Sequence, residues 1–223
     1  MTRIVFCDLD GTLLPRGEGK ISAETLSEIR RITDKGIYFC VASGRPYSSL
    51  KKLFGDCYRR IIFICLDGAL TMHRDCVYGK NPLPFPERLL GTEATLFCRG
   101  GETTVPANLP SSRITEVINR AGGEILKIAR DSRAPESDFA RLCYQGDNIY
   151  EYVARTADKG AAALALCKKL CVSPDCTAAL GDGENDIPLL RAAGLAFRIP
   201  DSHSSLIDLG FAPKTAGEFL AMF

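Results

Sequence analysis

The sequence predicts an α/β protein with a doubly wound parallel sheet and a small inserted α+β module. Toward both ends of the 223-residue chain, short apolar runs alternate with helical patterns, which is the rhythm of parallel strands joined by helices. These runs lack polar alternation, as expected of strands buried on both faces. Between the two ends, strand patterns cluster around a single helix. We therefore expect a core formed by residues 1–75 and 155–223, with residues 76–154 as the inserted module.

The first half of the core contains three predicted strands. Arg3–Cys7 is the first, and Ile37–Ala42 and Ile61–Leu66 are the next two. Ser22 suits the N-cap of the intervening helix, and Gly36 stands where that helix should end. The helix carries its apolar residues on one side, at Leu26, Ile29 and Ile32. Ser48–Phe54 is predicted as the helix between the second and third strands.

The middle of the chain is less regular. Residues 70–110 are rich in proline and glycine, which fit poorly inside a central sheet. Within this part, Ala94–Cys98 is a predicted strand and Ser112–Ala121 a predicted helix. Three more strands are predicted after that helix, at Ile125–Ala129, Phe139–Tyr144 and Ile149–Val153.

The strand–helix rhythm returns near residue 158. Lys159–Leu170 and Ile187–Ala192 are predicted helices, and Thr177–Leu180 and Leu195–Ile199 are predicted strands. A last short strand at Phe211–Ala212 and a helical tail from Ala216 complete the core.

Composition narrows the function classes. The formal charge of +1 leaves no excess of basic residues for a nucleic-acid strand. No apolar run approaches the ~20 residues that span a bilayer, and the N-terminus does not resemble a signal peptide. We expect a cytoplasmic monomer or homodimer that has neither a nucleic-acid nor a membrane partner. Its ten cysteines lack zinc-site spacing and are expected to be free thiols.

Chemically informative residues follow the predicted strands. The first strand leads into Asp8-Leu9-Asp10-Gly11-Thr12, the second into Ser43-Gly44-Arg45, and a later one into Gly181-Asp182-Gly183-Glu184-Asn185-Asp186. Ligands of open α/β sheets bind beyond the carboxyl ends of the strands. If these strands are neighbours, carboxylates, a serine and an arginine meet at one edge. Together with Lys159, this set suits a phosphate and a divalent metal ion.

The roles follow from charge. A carboxylate that attacks a phosphate needs a metal ion and a lysine to neutralise the site. Asp8 is the candidate nucleophile, which would form an aspartyl-phosphate. Asp10, two residues on, is placed to protonate the leaving alcohol and then to activate water. Ser43 is expected to offer hydroxyl and backbone donors to the phosphoryl oxygens.

In order along the chain, these runs resemble the four motifs of the haloacid dehalogenase superfamily. Asp10 marks the phosphatases of that superfamily, since its dehalogenases lack this residue. The Gly181–Asp186 run, the Ser43-Gly44-Arg45-Pro46 run and the insertion after the third strand resemble its Cof-type (IIB) branch, which has a Rossmann-like core and a C2B cap. The cap is expected to close over the site and to set substrate specificity.

The resemblance also implies the roles of individual residues. Asp8 and Asp182 would bind Mg²⁺ through their side chains, and Asp10 through its backbone carbonyl. Lys159 would hold the phosphate and neutralise the nucleophile, while Asn185 and Asp186 support the metal and the lysine. Residues expected to contact phosphate or substrate are Thr12, Ser43, Gly44, Arg45, Lys159 and Asn185.

Some questions stay open from the sequence. Relatives commonly have Asn-Gly after the third strand, where this chain has Asp67-Gly68, and a turn-forming aspartate is the simpler explanation of Asp67. The cap is shorter than usual for the branch it resembles. Because compact members of that branch include enzymes for phosphoglycolate-like substrates, the resemblance favours these over a phosphorylated sugar or a phosphoglycerate-linked sugar. Arg130, Arg133 and Arg141 are candidates for meeting an anionic metabolite. A phosphomannomutase-like phosphotransferase and a non-catalytic binding protein are the alternatives to a phosphomonoester hydrolase.

Overall fold

The computed structural model describes residues 1–84, 89–90, 92–107, 109–135 and 137–223. These residues form two compact units. The first comprises Met1–Gly79 and Asp158–Phe223, and the second comprises Lys80–Ala157. The predicted module, residues 76–154, thus starts four residues before the second unit starts and ends three residues before that unit ends.

The described residues contain thirteen strands and seven α-helices. The strands are β1 Ile4–Asp8, β2 Tyr38–Ala42, β3 Ile61–Cys65, β4 Leu70–His73, β5 Cys76–Lys80, β6 Ala94–Cys98, β7 Gly101–Val105, β8 Ile125–Arg130, β9 Ala140–Gly146, β10 Ile149–Ala154, β11 Thr177–Gly181, β12 Leu195–Arg198 and β13 Ala212–Pro213. The helices are α1 Ala23–Asp34, α2 Tyr47–Phe54, α3 Ser111–Arg120, α4 Lys159–Lys169, α5 Ile187–Ala192, α6 Ser204–Asp208 and α7 Ala216–Leu220. Every helix and strand predicted from the sequence is present, with ends that shift by one or two residues.

The first unit contains one eight-stranded sheet in the order β13-β12-β11-β1-β2-β3-β4-β5. Strands β13 to β3 run parallel to their neighbours, and β4 pairs antiparallel with β3. From the central strand β1 the chain proceeds to β2 on one side and later returns to β11 on the other. The strand order therefore reverses between β1 and β11, which is where open α/β sheets bind their ligands. The predicted doubly wound α/β class is confirmed.

The central strands form because their residues are apolar on both faces. All five residues of β1 and all five of β3 are buried, so neither strand exposes a face to solvent. Helix α1 begins where the Ser22 side chain accepts a hydrogen bond from the Thr25 amide. It buries Ile29 and Ile32, so the amphipathic pattern faces the core as predicted.

The second unit contains a five-stranded sheet in the order β7-β6-β8-β10-β9. Every adjacent pair is antiparallel. Helix α3 buries Ile114 and Ile118, which lie one turn apart on the same side. This is the predicted arrangement of several strands and one helix.

Sequence patterns missed four short elements, namely β4, β5, β7 and α6. Strands β4 and β5 lie at the edge of the first sheet, inside the stretch expected to be irregular. They flank Arg74 and Asp75, which both have positive φ angles but lack the Asn-Gly signal of a tight hairpin. Edge strands also need no continuous apolar run, so the sequence gives little sign of them. Among the described residues, no helix has the length and apolar character needed to cross a membrane.

Candidate active site

The predicted catalytic residues converge at the carboxyl edge of the first sheet. Strand β1 lies between β2 and β11, so the residues that end these three strands are neighbours. Asp8 ends β1, Ser43 follows β2 and Asp182 follows β11. Lys159 is the first residue of α4, whose N-terminus is fixed by Asp158 accepting a 2.7 Å hydrogen bond from the Ala161 amide.

Lys159 links two of the motifs. Its Nζ donates to Asp8 Oδ1 at 2.7 Å and to Asp186 Oδ1 at 2.6 Å. The side chain is almost completely buried, and burial alone would lower its pKa. Asp186, Asp8 and Asp67 outweigh burial, and the pKa of Lys159 is raised above its usual value. Lys159 is therefore a permanent cation beside the candidate nucleophile.

Asp186 is a support for its neighbours. Its Oδ1 accepts from Lys159, and its Oδ2 accepts 3.0 Å hydrogen bonds from the amides of Asp182 and Gly183. Because both oxygens are engaged, Asp186 orients Lys159 and the turn that carries Asp182. This agrees with the supporting role expected for it.

Asp8 and Asp182 are candidate metal ligands, and the pKa values of both carboxyls are raised. Burial and the nearby Asp186 raise the pKa of the Asp8 carboxyl, against the opposing effect of Lys159. The pKa of Asp182 is raised by the same two causes, and Arg16 opposes the shift. A second positive charge would let both carboxylates ionise in this buried position.

A divalent cation fits this group of oxygens. One oxygen each from Asp8, Asp182 and Asp186 lie within 4.8 Å of one another. Asp8 Oδ2 is buried and has no hydrogen-bond partner among the described residues. When ionised, these three carboxylates and Lys159 carry a net charge of −2. Carboxylate oxygens are the ligands that Mg²⁺ prefers, so the residues suit that ion.

Gly11 makes room for the Asp182 carboxylate. A Cβ atom at this position would lie 2.1 Å from Asp182 Oδ2, and the glycine has a φ of +85°. Both the close approach and the left-handed backbone exclude a side chain here. The glycine of the Asp8–Thr12 motif thus belongs to the same constellation.

Arg45 pairs with Asp10. Its guanidinium donates to both Asp10 oxygens, at 2.9 and 2.5 Å, and its expected contact with phosphate or substrate stays a prediction. The Asp10 side chain is about half exposed, so the Arg45–Asp10 pair lies on the solvent-exposed side of the site. In this arrangement Arg45 orients the candidate acid/base.

Ser43 and Thr12 both contribute hydroxyls to the site. The Ser43 amide, one of the two expected donors, already donates to the Ile64 carbonyl. The Ser43 hydroxyl, the other expected donor, accepts from the Arg45 amide at 3.2 Å and keeps its own proton for a ligand. Thr12 Oγ1 is buried and lacks a hydrogen-bond partner among the described residues. Asn185 Nδ2 lies 3.5 Å from Asp67 Oδ1.

Sequence reasoning missed one participant and left a second open. Arg16 reaches Asp182 Oδ2 at 3.1 Å from an exposed loop. Asp67, for which a turn role was the simpler explanation, is buried beside Asn185. No motif marks Arg16, since only the folded loop brings it to Asp182. For Asp67, the available signal was that this chain has Asp67-Gly68 where relatives commonly have Asn-Gly.

The three candidate arginines of the second unit have local roles or are exposed. Arg130 is buried and donates to the Leu89 carbonyl and the Ser132 hydroxyl. Arg141 donates to the Ala157 carbonyl through two nitrogens. Arg133 is exposed. Within the second unit, none of them is singled out as a ligand for an anion.

The chain is similar in sequence to known proteins. The sequence matches the haloacid dehalogenase-like hydrolase family over residues 5–89 and 107–209. It is 48% identical over 215 residues to a phosphoglycolate phosphatase of Methanopyrus kandleri, covering 87% of this chain and 83% of that protein.

Solved structures share the fold. A phosphatase of the haloalkanoate (HAD) superfamily from Bacteroides thetaiotaomicron superposes with a TM-score of 0.81 at 20% identity, covering 100% of this chain and 94% of that one. A sugar phosphatase of HAD subclass IIB superposes with a TM-score of 0.74 at 16% identity, covering 99% of this chain and 97% of that one. At these identities, the structural likeness bears on fold alone.

Proposed function

Because this chain belongs to the haloacid dehalogenase-like hydrolase family and is a Cof-type phosphatase, we propose that it hydrolyses a small phosphomonoester through an aspartyl-phosphate on Asp8. The observation that carries the proposal is the state of the Asp8 carboxylate. Its Oδ1 is held by Lys159 at 2.7 Å, while its Oδ2 is buried without a hydrogen-bond partner among the described residues. One oxygen is thus fixed and the other is left for chemistry.

In the first step, Asp8 Oδ2 attacks phosphorus and the bond to the ester oxygen breaks. Lys159 lowers the repulsion between the carboxylate and the anionic ester. Asp10 gives its proton to the departing alkoxide, so the alcohol leaves neutral. The Ser43 and Thr12 hydroxyls are suited to donate to the phosphoryl oxygens.

In the second step, water attacks the phosphorus of the aspartyl-phosphate. Asp10 takes a proton from this water, and the bond between phosphorus and Asp8 breaks to release inorganic phosphate. Arg45 supports the second step, since its two hydrogen bonds hold the ionised Asp10 carboxylate, the form that accepts the proton from water, in one orientation. Its own contact with phosphate, expected from the sequence, is not needed for this role.

We propose Mg²⁺ as the cofactor, held by the side chains of Asp8 and Asp182 and by the Asp10 carbonyl. When bound, the ion supplies positive charge that offsets the carboxylates and the phosphoryl group. The three clustered carboxylates of Asp8, Asp182 and Asp186, of which Lys159 offsets only one charge, support this assignment. Asp186 contributes by fixing the turn that carries Asp182.

We propose 2-phosphoglycolate as the substrate to test first. The support is the 48% identity to a phosphoglycolate phosphatase over most of both chains. We further propose that the second unit, Lys80–Ala157, selects the substrate. It is a separate sheet inserted between two stretches of the catalytic unit, which lets it vary without disturbing the core.

The experiment is a phosphate-release assay on a panel of phosphomonoesters, with and without Mg²⁺. We expect release of inorganic phosphate from 2-phosphoglycolate and dependence on the cation. Asp8→Asn should lose nearly all turnover while remaining folded. Wild-type rates in that variant would reject Asp8 as the nucleophile.

Asp10 is tested separately with two leaving groups. Asp10→Asn should slow an alkyl phosphate more than p-nitrophenyl phosphate, since nitrophenolate leaves without a proton. Equal losses with the two esters would exclude acid catalysis by Asp10. Isomerisation of a sugar phosphate without phosphate release would instead support the mutase alternative.

A further inference from the structure

The turn after β3 has an unusual backbone. Leu66 and Asp67 have φ angles of 51° and 53°, and Gly68 follows with a φ of 95°. Left-handed backbone is unfavourable for residues with a Cβ, and leucine tolerates it less well than aspartate. Such strain persists where the surrounding structure enforces it, and it clusters at functional sites.

The strained turn is tied to the loop after β2. The Leu66 amide donates to the Arg45 carbonyl and the Asp67 amide donates to the Ser43 carbonyl, both at 3.2 Å. The Asp67 carboxylate also lies against this loop, because a Cβ on Gly44 would be 3.0 Å from Asp67 Oδ2. The conformation therefore aims Asp67 at the backbone that carries Ser43.

The same carboxylate reaches a second catalytic loop. Asn185 Nδ2 lies 3.5 Å from Asp67 Oδ1, at the long end of the hydrogen-bond range. The charge of Asp67 is also among the causes that raise the pKa of Lys159. One buried side chain thus acts on residues from three of the four motifs.

A simple turn role does not account for these contacts. A turn-forming aspartate bonds to its own neighbouring backbone and is usually exposed. Asp67 is only 5% exposed, and the partner of its Oδ1 is 118 residues away in the sequence. Burial of a carboxylate is unfavourable, so its retention beside the catalytic edge requires a compensating interaction.

We propose that Asp67 is a positioning residue of the active site, which fixes the Asn185 amide and the Ser43–Arg45 loop around the phosphoryl group. The role rests on the proposed phosphatase function. Asp67 need not touch the substrate. It acts through the two loops, whose relative placement decides whether the phosphoryl oxygens meet their donors.

The test compares Asp67→Gly with Asp67→Asn. Glycine adopts the left-handed backbone without strain, so Asp67→Gly removes the carboxylate and should still fold. We expect its kcat/KM to fall about tenfold or more, since small displacements in a phosphoryl site are costly. Asp67→Asn keeps an oxygen acceptor and tolerates the same backbone, and should stay within about threefold of wild type.

A matched control removes an aspartate from another left-handed turn. Asp75, in the first unit, has a φ of 66° and is exposed. Asp75→Gly makes the same chemical change without a catalytic loop attached, and should leave kcat/KM unchanged. Melting temperatures of all three variants show whether any loss of activity comes from unfolding.

A second readout does not require turnover. The side-chain amide of Asn185 gives a ¹H–¹⁵N signal that is identified by its disappearance in Asn185→Ala. We expect that signal to move in Asp67→Gly, and to stay near its wild-type position in Asp67→Asn and Asp75→Gly. The signal reports on positioning even if no phosphomonoester is hydrolysed.

The outcomes separate the two ideas. A wild-type enzyme that releases no phosphate from any ester rejects the proposed function, while the amide signal still tests the positioning of Asn185. An active wild type with unchanged kcat/KM and an unmoved Asn185 signal in Asp67→Gly overturns the role of Asp67. Equal losses in Asp67→Gly and Asp67→Asn also overturn it, because charge alone would then explain the effect.

Discussion

Replacing Lys159 by methionine is the most direct test of the electrostatic design of this site. Methionine has a similar length and no charge, so the change removes the ammonium group without leaving a large cavity. In the wild type this group donates to Asp8 at 2.7 Å and to Asp186 at 2.6 Å from a side chain that is 1% exposed. The variant leaves two buried carboxylates that face each other without their shared cation.

The expected destabilisation follows from burial. Removing one partner of a buried ion pair costs about 3–5 kcal/mol, because the remaining charge stays desolvated. That is a large share of the ~5–15 kcal/mol that stabilises a typical domain. Turnover should also fall, by about 10²–10³ in kcat, since Lys159 neutralises the nucleophile as it approaches the ester.

The pH dependence has a definite sign. Lys159 lowers the pKa of Asp8 in the wild type, against burial and Asp186, which raise it. Without the lysine that pKa rises further, so the folded variant takes up a proton more readily than the unfolded chain. The free energy of unfolding of the variant should therefore increase as the pH falls from 8 to 6, and its deficit relative to wild type should shrink.

Urea denaturation at both pH values measures this effect. Lys168→Met is the matched control, because Lys168 lies on the same helix α4 and is exposed. We expect the control to stay within about 0.5 kcal/mol of wild type. A Lys159→Met variant as stable as the control at pH 8, or a deficit that grows on acidification, would refute the reasoning.

Three further predictions concern the metal ligands and the acid/base. Gly11→Ala should weaken Mg²⁺ binding by about tenfold or more in calorimetry, because the new methyl group collides with the Asp182 carboxylate. Gly17→Ala is the control, since Gly17 has the same φ of +85° and a Cβ there would have nothing within 4 Å. Equal Mg²⁺ affinities in the two variants would contradict this arrangement of the site. Arg16→Gln should tighten Mg²⁺ binding by up to about fivefold, since the exposed guanidinium competes with the ion for Asp182. The control Lys20→Gln, in the same loop, should leave the Mg²⁺ affinity unchanged. A weaker affinity in Arg16→Gln would show that Arg16 assists the ion. Arg45→Gln should lower kcat about tenfold, because the Asp10 carboxylate that takes the proton from water loses its two hydrogen bonds. A loss confined to KM would place Arg45 on the substrate instead.

Much of the fold was readable from local patterns. The uninterrupted apolar runs of β1 and β3 and the capping serine of α1 are signals carried by consecutive residues. The elements that were missed, such as β4 and β5, are short edge strands joined by an uncharacteristic turn. Their formation depends on the neighbouring strand β3, which a local pattern does not report.

The sequence by itself determined which candidate residues gather at the site. Asp8, Asp10, Lys159 and Asp182 each follow or begin an element whose type was predictable, and a parallel sheet gathers such positions at one edge. Only the tertiary structure decided the partners. Arg45 pairs with Asp10, Arg16 with Asp182 and Asp67 with Asn185, because side-chain contacts depend on loop paths across distances of 35 to 166 residues. Spacing along the chain fixes which strand end a residue occupies, whereas the direction of a long side chain is settled by packing and charge in the folded protein.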